Sequence, residues 1–470
     1  MITFLSCLLL LIVGYVAYGR FVERVFAPDE NRETPAIRCN DGVDFVPMKP
    51  WKIFMIQFLN IAGLGPIFGA IMGAKFGASA YIWIVVGSIF AGAVHDYLAG
   101  MLSLRNNGAS LPELIGKYLG LTVQQITRLF TIVLMVLVGV VFVSGPAGLL
   151  EKLTAIDDWW WIGIIFSYYL LASMLPIDKL IGKVYPVFAV ALLFMAVGIF
   201  TVLMIQQPAI PELTDGLSNM HPNAADTPIF PMLFISIACG AISGFHATQS
   251  PLMARCMTNE KQGRPIFYGA MIVEGIVALI WAAAANVFFY ENGMGENNAA
   301  VIVNNISTEW LGVVGGVLAI LGVVFAPITS GDTAFRSARL IVADIFQYDQ
   351  KPIKNRLLIC VPLFLAAATI LLYSLNDVEG FNIIWRYFAW ANQTLAVITL
   401  WALSVWLMRT RRRWHWVTLI PALFMTVVVS LYILIASEGF AFDYQPSLCV
   451  SILFAFVLLL LFYYKELRRR

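Results

Sequence analysis

The chain has 470 residues, of which 60% are hydrophobic and 12% are charged, and its mean hydropathy is +0.82. Soluble domains are about one quarter charged, so this composition excludes a soluble globular protein and requires a lipid bilayer as solvent. The net charge of +2 gives no indication of a nucleic-acid partner. The expected fold class is therefore an all-α polytopic membrane protein.

Thirteen apolar segments are long enough to cross a bilayer, which takes about 20 helical residues. They lie at 2–19, 53–75, 81–104, 126–147, 159–175, 184–204, 229–250, 266–290, 311–335, 357–374, 383–407, 414–436 and 444–464. The weakest is 159–175, which is short and follows "DDWWW". The first segment resembles a signal peptide by length. No basic residue precedes it and no A-x-A site follows it, so we expect a retained anchor helix.

Lysine and arginine divide the connections between these segments into two sets. Alternate connections carry 27 of the 30 basic residues, at 20–52, 105–128, 176–183, 251–265, 336–356, 409–413 and 465–470. The intervening connections hold only Lys75 and Lys152, and Arg386 at the start of a span completes the thirty. Because basic residues are retained on the cytoplasmic side, the pattern predicts an outside amino terminus and a cytoplasmic carboxyl terminus.

The segments also group into two blocks of five, at 53–204 and 229–407. An odd number of spans inverts the second block relative to the first, so the two blocks can form an inverted repeat. The predicted organisation has four parts. They are an anchor helix with a cytoplasmic loop (1–52), a first five-helix repeat (53–204), a second, inverted repeat (205–407), and two C-terminal helices with a basic tail (408–470).

Each block opens with a helix that glycine and proline should interrupt. The first contains "NIAGLGPIFG" (60–69) and the second "ISIACGAISGFHATQSP" (235–251). Glycine costs about 1 kcal/mol and proline about 3 kcal/mol in a helix interior. Paired interrupted spans at matching positions indicate a transporter binding site, although close helix packing is an alternative. The candidate binding residues are Ala62, Gly63, Leu64, Gly65 and Pro66 in the first break, and Gly240, Ser243, Gly244 and His246 in the second.

Ionisable residues inside the membrane are costly and are usually functional. His95 and Asp96 lie mid-span in "IFAGAVHDYLAGML", and Glu274 lies in "AMIVEGIVALIW". Our hypothesis is that Asp96 takes and releases a coupling proton, while His95 tunes it or contacts the substrate. As neighbours in a helix they point to different faces and need not bond each other. A structural hydrogen-bonded pair is the alternative, and Glu274 is a second candidate for coupling.

The stretch "FAPITSGDTAFRSAR" places Thr329, Ser330 and Asp332 near the cytoplasmic end of a span. Its hydroxyls could hold sodium together with carbonyls of the first interrupted helix, so sodium coupling is an alternative to proton coupling. Arg336 and Arg339 are expected to extend toward lipid phosphates. In "ANQTLA", the Asn392 and Gln393 side chains favour hydrogen bonds between helices.

Enzyme signatures are absent from the sequence. It has no HExxH, no G-x-S-x-G, no Walker loop and no CxxC, and its four histidines are widely spaced. We therefore expect no catalytic residues, no cofactor and no metal centre, apart from a coupling ion, H⁺ or Na⁺. A nutrient sensor built on a transporter scaffold is an alternative from another functional class.

Several ordered motifs resemble the carbon-starvation protein A (CstA) family. They are "IAGLGP" (Ile61–Pro66), "AGAVHDY" (Ala91–Tyr97), "FISIACGAISGFHA" (Phe234–Ala247) and "ANQTLA" (Ala391–Ala396), and together they span roughly residues 50–410. His95 is a departure, since glutamine is usual there. The resemblance implies a LeuT-type 5+5 inverted-repeat core in a bacterial inner-membrane protein. It also implies proton-driven uptake of peptides or pyruvate during carbon starvation. It assigns site roles to Gly63, Gly65, Pro66, Asp96, Gly240, Gly244 and His246.

The predicted function is secondary active import of a small, pyruvate-like carboxylate or of short peptides by proton symport. The carboxylate would lie on amide groups freed near Gly63–Gly65 or near Gly240–Gly244, where half-helix amino ends carry partial positive charge.

Overall fold

The computed structural model describes residues 1–42, 44–174, 177–295, 298–350, 352–376 and 380–468. Within these residues the chain forms helices and no β-strand, which confirms the all-α class. Residue 175 of the predicted span 159–175 lies outside the described residues. So do residues 43, 176 and 351 in three predicted basic connections, and 469–470 in the tail.

The first half of the chain forms eleven α-helices. They are α1 (Ile2–Val16), α2 (Tyr18–Phe26), α3 (Pro35–Arg38), α4 (Pro50–Ile61), α5 (Ala70–Ala74), α6 (Ser79–Gly87), α7 (Ala93–Arg105), α8 (Leu111–Leu119), α9 (Leu121–Thr154), α10 (Asp158–Met174) and α11 (Ile177–Gln206). The second half adds α12 (Ile229–Ser236), α13 (Gly244–Ala254), α14 (Ala270–Asn292), α15 (Ala299–Phe346), α16 (Ile353–Asn376), α17 (Gly380–Thr410), α18 (Trp416–Ile435) and α19 (Tyr444–Arg468). Three π-helical turns precede α5, α7 and α14, at Gly65–Gly69, Ser88–Gly92 and Arg264–Gly269, and 3₁₀ turns lie at Leu213–Asp215, Glu260–Gln262 and Arg412–Trp414.

The number of membrane spans differs from the expected thirteen. Every predicted apolar segment coincides with helix, but ten helices in the described residues are long and apolar enough to cross a membrane. The bent pair α4–α5 makes an eleventh if it is one span. The difference lies in two segments. The described part of helix α10, which ends where residues 175 and 176 fall outside the described chain, has 17 residues. The segment 229–250 is divided into α12, with 8 residues, and α13, with 11. The chain is thus an integral, multi-pass membrane protein, and the count of thirteen spans is not confirmed.

Connections predicted to share one side of the membrane contact each other in the structure. On the basic side, Arg105 Nη2 lies 2.8 Å from Glu260 Oε2. Arg255 Nε donates to the carbonyl of Gly108 at 2.9 Å. At the opposite end, the amide of Thr3 donates to Glu212 Oε2 at 2.7 Å, in the connection that follows α11. These contacts agree with the two predicted sets of connections, and the side of the membrane that each set faces stays a prediction.

The helix contacts repeat when each helix of the first block is exchanged for its counterpart in the second. Helix α4 packs on α11, and its counterpart α12 packs on α17. Helix α5 packs on α14, as its counterpart α13 does on α7. Helix α10 packs on α15, and its counterpart α16 packs on α9. In the same way, α11 packs on α15, and its counterpart α17 packs on α9. Reciprocal packing of this kind is expected for two five-helix units of opposite orientation. The domain boundaries at 52, 204 and 407 stay predictions.

Candidate functional site

The first break in the helices follows α4, at residues 62–64. The amide of Ala62 still bonds to the carbonyl of Phe58 at 2.8 Å, but that of Gly63 turns back to Ile61 at 2.9 Å. Pro66 then opens the next helical turn, where its missing N–H is tolerated. A continuous helix would require that N–H to bond to the carbonyl of Ala62. The chain instead bends by 52° between α4 and the second half-helix.

The second break separates α12 from α13 at residues 237–243, and it lies directly against the first. A Cβ atom on Gly65 would lie 2.3 Å from both Cβ and Sγ of Cys239. A Cβ on Gly69 would lie 2.7 Å from the carbonyl oxygen of Ser236. Glycine is therefore favoured at both positions, because a side chain would overlap Cys239 at the first and the backbone of Ser236 at the second. The expected meeting of the two interrupted helices is observed.

The amino end of α13 already has hydrogen-bond partners from α17. Asn392 Oδ1 accepts from the amide of Phe245 at 2.7 Å and from the hydroxyl of Ser243 at 3.0 Å. Asn392 is fully buried, and Gln393 Nε2 donates to the carbonyl of Phe234 at 3.2 Å. Both amide side chains thus bond across helices, as predicted. Since Asn392 occupies the half-helix end near Gly244, the first break is the better of the two predicted places for a substrate carboxylate.

A chain of four ionisable side chains joins α7, α13 and α14. His95 Nδ1 lies 2.8 Å from Asp96 Oδ1, and His246 Nδ1 lies 2.9 Å from Asp96 Oδ2. His246 Nε2 lies 3.5 Å from Glu274 Oε2. All four side chains are fully buried. His95 therefore does contact Asp96, although neighbouring positions differ by about 100° around a helix. Both rings can turn a nitrogen toward the carboxylate that lies between them.

This cluster, hereafter the His–Asp–Glu cluster, retains unused hydrogen-bonding capacity. Among the described residues, His95 Nε2, His246 Nε2 and both carboxylate oxygens of Glu274 have no hydrogen-bond partner. Buried polar atoms are nearly always hydrogen-bonded, and exceptions need a physical account. An exchangeable proton or a passing ligand would supply the missing bonds.

Ser330 on α15 lies against the end of α4, beside the first break. Its hydroxyl is 2.8 Å from the carbonyl oxygen of Asn60 and 3.2 Å from that of Leu59. A Cβ on Gly63 would lie 3.2 Å from the same hydroxyl. The hydroxyl of Thr329 instead bonds within its own helix, at 2.7 Å from the carbonyl of Ala326. The structure therefore brings Ser330, and not the Thr329 hydroxyl, to the first break.

Asp332 faces a different part of the molecule. Its Oδ2 accepts a hydrogen bond from the hydroxyl of Tyr168 on α10 at 2.9 Å and another from Tyr185 on α11. Tyr185 also donates to the carbonyl of Thr329 at 3.0 Å. Asp332 and Thr329 thus form a tyrosine-lined contact with α10 and α11, apart from the first break.

Arg336 and Arg339 do not extend toward lipid phosphates, so that expectation is wrong. They are 1% and 0% exposed. Arg336 Nη1 lies 3.8 Å and Arg339 Nη2 lies 3.9 Å from Oδ1 of Asp44, which belongs to the loop before α4. Charged groups at this depth need partners, and an acidic residue on the preceding loop supplies one.

Two polar residues of α4 were missed by the sequence analysis. Gln57 and Asn60 are fully buried, and Thr333 Oγ1 lies 3.4 Å from Asn60 Oδ1. In the described part of the chain, the Gln57 side-chain amide and Asn60 Nδ2 have no hydrogen-bond partner. Their spacing of three residues places them on one helix face, and this pattern could have identified them from the sequence. Tyr168 and Tyr185 gave no comparable signal, because isolated tyrosines are common in membrane helices.

Aromatic rings close the space next to the first break. A Cβ on Gly63 would lie 3.0 Å from the ring of Phe142 on α9. The centroid of that ring is 6.2 Å from that of Phe245 and 5.9 Å from that of Phe388. The Leu64 side chain points toward Gly145 on the same helix α9. The first break is therefore enclosed by α9, α13 and α17.

A family model described as carbon starvation protein CstA matches residues 1–155, 145–314 and 290–432. The "Peptide transporter CstA" of Campylobacter jejuni is 28% identical over 89% of this chain and 78% of that protein. The protein of that name in Escherichia coli K12 is 24% identical, over 88% and 78% respectively. An "Uncharacterized membrane protein" of Haemophilus influenzae is 44% identical over 64% of this chain and 94% of its own length.

Two solved structures share the fold. One is a manganese transporter from Eremococcus coleocola in complex with an aromatic bis-isothiourea substituted compound. It has a TM-score of 0.58 and 13% identity, and the match covers 91% of this chain and 99% of that one. The other is MhsT in complex with L-phenylalanine, with a TM-score of 0.59, 13% identity, and coverage of 87% and 98%. At this identity the likeness shows the fold alone, and it confirms the LeuT-type core.

Proposed function

The chain belongs to the carbon starvation protein CstA family and is a membrane transporter, and from this we propose that it imports a small carboxylate or short peptides by proton symport. The observation that carries the proposal is the His–Asp–Glu cluster. It places two buried carboxyl groups and two imidazoles in one chain of contacts, in which His246 lies two residues after Gly244, at the start of α13. Ionisable groups at this depth typically mark a proton path.

Asp96 is the proposed proton carrier. As a carboxylate it accepts from His95 Nδ1 and from His246 Nδ1, at 2.8 and 2.9 Å. A carboxylate only accepts hydrogen bonds, whereas a protonated carboxyl has one donating oxygen. A proton on Oδ2 would face the N–H at Nδ1 of His246. The ring must then either move away or give up the proton on Nδ1. Protonation of Asp96 thereby weakens one attachment of α13 to α7.

Glu274 is the proposed second station for the proton. The ring of His246 has one nitrogen toward Asp96 and the other toward Glu274. An imidazole can accept a proton on one nitrogen and release one from the other. His246 thus provides a route between two acids on different helices, α7 and α14.

The substrate carboxylate is proposed to bind at the first break, near Gly63–Gly65. The alternative position at the start of α13 is filled by Asn392. The Gln57 side-chain amide and Asn60 Nδ2, which have no hydrogen-bond partner in the described chain, lie on the α4 side of the same break and can supply donors. The name "peptide transporter" of several relatives supports a peptide substrate, whose carboxyl end would use the same groups.

Uptake by purified protein in liposomes tests the proposal. Labelled pyruvate and labelled dipeptides are offered with and without an inward proton gradient, and accumulation is expected only with the gradient. Asp96→Asn should abolish gradient-driven accumulation while sparing exchange of substrate across the membrane. Asp226→Asn, an exposed loop carboxylate, is the matched control and should behave as the unchanged protein. Unchanged accumulation by Asp96→Asn would remove Asp96 from the mechanism.

Sodium symport is a second candidate, supported by the position of Ser330. Its hydroxyl and the carbonyls of Leu59 and Asn60 converge at 2.8–3.2 Å where α4 ends. Hydroxyl and unwound carbonyl oxygens at a broken helix are typical sodium ligands in transporters. Replacing external sodium by choline would stop uptake only if sodium is the coupling ion. Binding without accumulation under any gradient would instead favour a nutrient sensor.

A further inference from the structure

A cavity of about 920 Å³ lies between α8, α17 and α19, at the basic end of the molecule. Its walls come from the last turns of α17 and α19 and from the α8–α9 corner at Gly116–Gly120. None of its lining residues belongs to the two breaks or to the His–Asp–Glu cluster. It is therefore a separate site, hereafter the α19 groove.

One end of the α19 groove is strongly basic. Lys117, Arg409, Lys465 and Arg468 all line it, against a single acid, Glu466. Arg409 holds that acid through two bonds, from Nε at 2.8 Å and from Nη2 at 2.7 Å. In the part of the chain that the structure describes, no carboxylate forms an ion pair with Lys117, Lys465 or Arg468. Three positive charges thus remain uncompensated around one opening.

The other end of the α19 groove is apolar. Ile398, Trp401 and Val405 of α17 form one wall, and Leu458 and Leu461 of α19 form the other. Leu461 is 47% exposed, and along α19 most other large apolar side chains are similarly exposed. A helix with an exposed apolar surface in a multi-pass protein faces lipid. The groove is thus open to the bilayer along its apolar part.

We propose that the α19 groove is a specific binding site for an anionic phospholipid. The headgroup phosphate would lie among Lys117, Lys465 and Arg468, and an acyl chain would follow the apolar walls along Trp401 and Leu461. Basic pockets between membrane helices bind anionic headgroups, and each basic residue near such a surface contributes about 1 kcal/mol. The basic end of the groove matches the headgroup of an anionic phospholipid, and the apolar end matches its acyl chain. A soluble anion would leave the apolar end without a ligand.

Native mass spectrometry of delipidated protein, titrated with phosphatidylglycerol or phosphatidylethanolamine, tests this site. The unchanged protein should retain the anionic lipid preferentially. The double variant Lys465→Gln/Arg468→Gln should lower its affinity for phosphatidylglycerol by about fivefold for each basic residue removed. The matched control is Arg411→Gln/Arg412→Gln, which removes two exposed charges at the same end of the molecule but outside the groove. It should leave the affinity unchanged.

Three results would overturn the proposal. The first is equal retention of the zwitterionic lipid, which would make the groove an ordinary lipid contact. The second is an equal effect of both double variants, which would indicate general surface charge. The third is a dimer that excludes lipid and cross-links through the groove, which would assign the surface to a second copy of the chain. Because all the substituted side chains are exposed, each variant is expected to fold.

Discussion

Replacing Gly65 with alanine tests whether the two breaks are packed together as the structure shows. The added Cβ would lie 2.3 Å from Cβ and Sγ of Cys239. Carbon atoms in contact normally stay about 3.5–4.0 Å apart, so the backbones must separate by about 1 Å. The Cβ of Cys239 is fixed to its backbone, and rotating the side chain cannot relieve the overlap.

The expected change in the unfolding free energy of Gly65→Ala is the sum of two opposing effects. Alanine in place of glycine in a helix stabilises by roughly 0.5–1 kcal/mol, whereas overpacking a buried contact costs about 1–3 kcal/mol. Gly148 in α9 is the matched control, because a Cβ there has nothing within 4 Å. Gly148→Ala shows the effect of alanine in a helix without a new contact, so the difference between the two unfolding free energies estimates the cost of the contact, at about 1–3 kcal/mol.

Thermal unfolding of purified protein in one detergent, followed by tryptophan fluorescence, provides the comparison. We expect Gly148→Ala to unfold at or above the midpoint of the unchanged protein, and Gly65→Ala below it. Cys239→Gly should rescue Gly65→Ala, with a coupling of about 0.5–3 kcal/mol between the two positions. If Gly65→Ala matched Gly148→Ala, or if the effects at 65 and 239 simply added, the breaks would not be in contact.

Three further predictions concern side chains around the site. Asn392→Ala leaves a buried amide of α13 without an acceptor and should lower the unfolding free energy by about 1–3 kcal/mol, measured as above. Gln393→Ala should lower the unfolding free energy by less, because it leaves only the carbonyl of Phe234 without a donor. Asp44→Asn leaves two buried arginines of α15 without that carboxylate and should cost about 3 kcal/mol, whereas the exposed Glu33→Gln should cost nothing measurable. Ser330→Ala should keep proton-driven uptake with external choline in place of sodium. Loss of uptake in that variant would favour the sodium mechanism.

The helices and both breaks could be predicted from the sequence, because each depends on local chemistry. Apolar runs of sufficient length become helices in a bilayer, where every backbone group needs an internal partner. Pro66 cannot donate to Ala62, and the surrounding glycines allow close approach, so the position of the first break follows from a few adjacent residues. The number of spans could not be predicted, since α10 and α12–α13 differ from a full span by only a few helical residues.

The contacts within the site could be predicted only in part, because they depend on how each helix is rotated about its axis. Asp96 and His246 are 150 positions apart and meet only when α7 packs on α13. One residue of rotation, about 100°, would separate them. The same limitation explains why Thr329 was expected beside Ser330 at the first break, and why the arginines of α15 were expected to reach lipid rather than Asp44.

Helix α13 is attached to its surroundings at the residues just after the second break. Asn392 of α17 accepts from the amide of Phe245 and the hydroxyl of Ser243, and Asp96 of α7 contacts His246. The α17 attachment consists of neutral groups and is indifferent to pH, whereas the α7 attachment includes two titratable partners. If Asp96 carries the coupling proton, as proposed above, loading that proton weakens the attachment of α13 to α7 and leaves its bond to Asn392 of α17 unchanged.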